Sequence, residues 1–86
     1  MIREYKAYSD KDFGWLQVSK KQLLKMGLAD KISSLSREDE LYVYLESDVD
    51  ADIFLNAIGK DSVEIDEDYK EISPIRKLTH YKGGLQ

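Results

Sequence analysis

Residues 41–46 read Leu-Tyr-Val-Tyr-Leu-Glu, and this alternation has one regular solution. Successive side chains of a β-strand point to opposite faces, so Leu41, Val43 and Leu45 make one surface and Tyr42, Tyr44 and Glu46 the other. A strand with an aliphatic face needs neighbouring strands and a second layer over that face. The rest of the chain has to supply both.

Residues 2–8 and 13–18 mix β-formers with polar residues and read as two further strands. Ser9-Asp10-Lys11-Asp12 between them is turn chemistry, since short polar side chains bond nearby backbone. Trp15 is expected in the core. Ser19, with Gln22 three residues on, makes a capping box for a short helix. Leu23, Leu24 and Leu28 are expected on one face of it, Lys20, Lys21 and Lys25 elsewhere, and Gly27 at its end. Residues 31–37 read as a weaker strand, joined through Arg37-Glu38-Asp39-Glu40 to 41–46 as a hairpin.

Ser47-Asp48-Val49-Asp50 opens a second helix, with Ile53, Phe54, Ala57 and Ile58 as its apolar stripe and Gly59 as its stop. Residues 62–69 alternate again, Val63 and Ile65 against Glu64 and Asp66. Ser73-Pro74 starts either a helix or an edge strand. The expected fold is a single α+β domain over residues 1–82, followed by a flexible tail at 83–86. Its order is β-β-α-β-β-α-β, in a mainly antiparallel sheet with two short helices packed on one face.

Composition narrows the function classes. At 86 residues there is room for one domain. With no cysteine there is no disulfide, no thiolate nucleophile and no Cys-type zinc site. No stretch approaches the roughly 18 apolar residues of a membrane span, so a cytoplasmic, non-membrane protein is expected. Charge is segregated along the chain. Residues 1–37 carry a net +4, residues 38–71 a net −11 and residues 72–86 a net +3.

Gly14-Trp15-Leu16-Gln17-Val18-Ser19, the Leu-rich helix ending at Gly27, Lys31-Ile32-Ser33 and Tyr44-Leu45-Glu46-Ser47-Asp48-Val49-Asp50-Ala51 occur in this order. Across about residues 13–58 this pattern resembles a group of small proteins carried by bacteriophages and other mobile elements. The resemblance implies a phage or prophage setting and assigns no activity and no site residues.

Enzyme chemistry has little to stand on. His80 is the sole histidine, and the five glycines form neither a dinucleotide-binding nor a P-loop pattern. No catalysis and no cofactor are expected. Nucleic-acid binding is not expected either, because it depends on Lys/Arg clusters that neutralise phosphates. Lys20, Lys21 and Lys25 read as the wet face of helix one. Asp48, Asp50 and Asp52 resemble the start of a calcium loop, but Ile53 falls at its glycine position and Gly59 at its bidentate glutamate. Those acids suit the first turn of a helix, where the dipole favours negative charge.

The acids from Asp61 to Glu71 suit either an edge strand protected from pairing or a face for a basic partner. The expected function is binding of another protein through Tyr42, Tyr44, Glu46 and Glu64, tyrosine being favoured where a ring and a hydroxyl both meet a partner. A cation or small-ligand site on Asp48, Asp50 and Asp52 is the alternative, and a structural homodimer the third reading; the chain is expected to be a monomer or homodimer.

Overall fold

In the computed structural model the described residues are 3–82, and the tail expected at 83–86 lies outside them. The strands are β1 (Arg3–Ser9), β2 (Gly14–Ser19), β3 (Arg37–Glu38), β4 (Tyr42–Glu46), β5 (Val63–Tyr69) and β6 (Thr79–His80). They form one sheet in the order β5-β1-β2-β4-β3-β6. The helices are α1 (Lys20–Lys25) and α2 (Asp50–Ile58).

Local chemistry sets the connections. The Asp10 carboxylate accepts from the backbone N–H of Asp12 and of Phe13, both at 2.9 Å, and so folds the β1–β2 turn. Ser19 ends β2 and caps α1 by accepting from the Gln22 N–H at 3.1 Å. Gly27, at φ 71°, takes the left-handed conformation that ends that helix.

The main core lies between the sheet and both helices. Leu16, Val18, Val43 and Leu45 meet Leu23 of α1 and Ala51 and Phe54 of α2, with Leu28, Ala29 and Ile32 closing the side. Phe54 is fully buried and meets Tyr5 edge-on at 5.3 Å between ring centroids.

The sheet is mixed, so the expected antiparallel character holds only in part. β1–β2, β2–β4, β4–β3 and β3–β6 run antiparallel, whereas β5 pairs parallel with β1. The cause is α2, which carries the chain from β4 over the core to the far edge. A strand delivered by such a crossover enters in the same direction as the one it left.

Other expectations need correction. The strand expected at 31–37 is instead a 3-10 turn at Ala29–Lys31, a loop and the two residues of β3. Leu24 and Leu41 are exposed rather than core, at 65% and 68%. Ala57 is also exposed. Both readings of the C-terminal segment apply in turn. Ser73 accepts from the Ile75 N–H and opens a 3-10 turn at Pro74–Lys77, and β6 follows it.

That C-terminal segment covers part of the sheet's second face. Ile75 packs with Trp15 and Tyr44, flanked by Tyr8 and Leu78, in a second apolar cluster. The β1–β2 turn anchors it: the buried Asp10 carboxylate accepts from the Ser73 N–H and pairs with the Arg76 guanidinium, which also reaches Asp12 at 2.8 Å. Arg76 holds the Asp10 carboxyl far below the usual carboxylate range; burial opposes this, and the Asp12, Phe13 and Ser73 N–H groups reinforce it. No described helix is long and apolar enough to cross a membrane.

Candidate binding surface

Register partners in adjacent strands point to the same side of a sheet. Trp15 is opposite Glu46, Gln17 opposite Tyr44 and Ser19 opposite Tyr42. Tyr8 is opposite Trp15, and Glu4, Lys6 and Tyr8 are the partners of Glu64, Asp66 and Asp68. Tyr42, Tyr44, Glu46 and Glu64 therefore share the face turned away from the helices. The C-terminal segment divides that face into a covered and an open part.

Tyr44 lies in the covered part, 6% exposed, which corrects its expected place on an open surface. Its hydroxyl donates to Asp39 Oδ2 at 2.8 Å and accepts from Gln17 Nε2 at 3.2 Å. Burial pushes the phenol up to about 12; the Gln17 hydrogen bond opposes the shift and Asp39 adds to it. Burial pushes the Asp39 carboxyl up as well, but the Tyr42 N–H, the Tyr44 hydroxyl, the Leu41 N–H and Lys20 together leave it below the usual range. Glu46 is half-buried, and its Oε1 accepts from the N–H groups of Asp48 and Val49, holding the turn into α2.

Tyr42, 37% exposed, and Glu64 stay in the open part, with Glu4, Lys6 and Asp66. Beyond them β5 is an outer strand of the sheet, exposed from Glu64 to Tyr69. Its acids Glu64, Asp66, Glu67 and Asp68 stand beside the exposed Ile65 and Tyr69, with Ile72 just beyond the strand end. Sequence reasoning missed this apolar component. Alternation places Ile65 on the helix side of the sheet, level with Tyr5, but no pattern in the chain says that the helices stop short of that edge.

The three aspartates of the calcium-like run do not converge. Asp50 is fully buried and accepts from the Ser33 N–H, the Ser33 hydroxyl at 2.7 Å and the Ser36 hydroxyl at 2.6 Å. Asp48 and Asp52 are exposed. Among the described residues no group of three or more His, Asp or Glu side chains is placed to hold a metal ion. Asp50 is thus a structural link between α2 and the 33–36 loop. Its signal in the sequence is the serine cluster Ser33-Ser34-Leu35-Ser36, which carries the donors a buried carboxylate requires.

No family model, no curated protein and no solved structure matches this chain.

Proposed function

We propose that this domain binds a basic protein partner through the β5 edge and the adjoining open part of the sheet face, with Tyr42, Glu64, Asp66 and Asp68 as its contact residues. The observation that carries this reading is an outer strand exposed from Glu64 to Tyr69, with Glu64, Asp66 and Asp68 on the face turned from the helices and Ile65, Glu67 and Tyr69 on the other, so that a partner gripping the edge meets both. The apolar groups supply area to bury, and the carboxylates select a cationic surface and accelerate encounter with it. A second copy of the chain is the poorer occupant, because edge-to-edge pairing on β5 would set acid against acid. Tyr44 and Glu46 contribute by positioning this face rather than by contact. The expected setting is the cytoplasm of a phage- or prophage-bearing cell, on the resemblance described above.

The test compares the immobilised domain with its Glu64→Lys/Asp66→Lys and Tyr42→Ala variants, each verified as folded by circular dichroism. Capture of a defined basic protein from the native host should be saturable, weaken as salt is raised and fall at least tenfold in the charge-reversed variant. Equal capture by the folded charge-reversed variant would refute the reading.

A further inference from the structure

On the same sheet face but toward the β3–β6 edge, away from β5, a cleft of about 370 Å³ opens beside Trp15. This lies within the roughly 300–1,000 Å³ of small-molecule sites. Trp15 lines the cleft from below, with Phe13 and Leu35 as its lips, 50% and 58% exposed. The Phe13 and Trp15 rings sit 5.7 Å apart, and the Arg76 guanidinium lies 4.9 Å over Phe13. Asp10 and Asp12 already satisfy that arginine.

Arg37 differs from Arg76. It lines the same cleft and is the register partner of His80, so both project from adjacent strands to the same side. Its Nη1 donates to the Leu78 carbonyl at 2.9 Å, and among the described residues it forms no ion pair. One of five guanidinium donors is thereby fixed, and among the described residues no hydrogen bond claims the remaining donors of the fork. His80 Nδ1 lies 2.7 Å from the Ser34 carbonyl oxygen. A carbonyl only accepts, so Nδ1 carries the proton and Nε2 is left for another partner.

An unpaired guanidinium beside an aromatic floor matches a planar acid with a ring attached. The fork takes the carboxylate in two parallel hydrogen bonds, and the ring covers the exposed Phe13 and Leu35 over the buried Trp15 floor. Glu46 also lines the cleft, and its negative charge weighs more against a dianion such as phosphate than against a singly charged carboxylate. We propose that this cleft binds a small aromatic carboxylate, with the acid on Arg37 and the ring against Trp15, Phe13 and Leu35. The site is independent of the β5 surface.

Trp15 is the sole tryptophan, so its emission reports on this cleft. The full chain is titrated with 3-phenylpropionate, with its neutral amide and with inorganic phosphate. The acid should give a saturable change at millimolar concentration or below, the scale of a small ligand. The amide should bind at least about tenfold more weakly, the loss of one charge-assisted pair. Phosphate should not compete with the acid. Arg37→Gln, confirmed as folded, should weaken the acid by a similar factor and leave the amide unchanged. Absence of saturation, equal binding of acid and amide, competition by phosphate, or an unaffected folded Arg37→Gln variant would each overturn the proposal. If that variant does not fold, the acid–amide comparison on the unaltered chain decides. Glu64→Lys/Asp66→Lys should bind the acid normally.

Discussion

Replacing Asp50 by alanine removes the acceptor of three donors: the Ser33 N–H, the Ser33 hydroxyl and the Ser36 hydroxyl. Ser36 in turn accepts from the Glu46 N–H at 2.8 Å, so a relay runs from β4 through the loop to α2. Hydrogen bonds to a charged group contribute about 1.5–3 kcal/mol each, or roughly 4–9 kcal/mol for three. Desolvating the buried carboxylate costs several kcal/mol, which its removal returns. The expected net loss is about 3–5 kcal/mol. A domain of this size has about 4–13 kcal/mol in total.

Urea unfolding followed by Trp15 emission measures the loss. With a slope of about 1.5 kcal/mol per molar, the midpoint should fall by about 2–3 M. Asp50→Asn keeps one acceptor oxygen and should lose less than half as much. A double-mutant cycle with Ser36→Ala should show coupling of about 0.5–3 kcal/mol. A midpoint within a few tenths molar of the unaltered chain, or additive single variants, would refute the relay.

The second apolar cluster and its Asp10 anchor lead to three further outcomes. Asp10→Asn should loosen the C-terminal segment locally, read as faster amide exchange at Ser73 and Ile75 with the β2 and β4 amides unchanged. Because the Asp10 carboxyl lies lower in the folded state than the 3.8 of its free form, its stabilisation is complete above that pH and is lost as pH falls through the folded value, so Asp10→Asn should flatten the acid limb of the stability curve. Tyr44 shifts in the opposite direction. The unfolded phenol deprotonates first, near 10, so its contribution is complete below that pH and lost between about 10 and about 12, and Tyr44→Phe should reduce this alkaline loss.

What was legible in the sequence is what local chemistry decides. Ser19 marked the cap of α1, although the Gln22 side chain of the expected capping box donates to the Tyr5 hydroxyl; Gly27 and Gly59 marked the helix ends, and the Val43–Leu45 alternation the buried face of β4. What was not legible depends on contacts distant in sequence. Asp10 looks like any turn aspartate, yet it binds Arg76, 66 residues on. Asp50 looks like a helix-opening acid and lies under two serines from another loop. Residues 31–37 carry strand formers, but the bonds of Ser33 and Ser36 to Asp50 bend that backbone out of pairing until Arg37. The parallel entry of β5 follows from the path of α2, which no residue within β5 encodes.

The covering of the second sheet face explains why one expected surface becomes two sites. A half-exposed sheet would have presented Tyr42, Tyr44 and Glu46 together. The Asp10–Arg76 pair instead lays Ser73–Leu78 across the middle of that face and buries Tyr44 against Trp15 and Ile75. The same segment places Arg76 over Phe13 and holds the Leu78 carbonyl where it orients Arg37. The anchor therefore withdraws a tyrosine from the acidic surface and builds a wall of the aromatic cleft. Loosening it by Asp10→Asn should weaken 3-phenylpropionate binding in the cleft while capture through Glu64 and Asp66 on the distant β5 edge persists. Loss of both activities in a folded Asp10→Asn variant would mean that the two surfaces form one site.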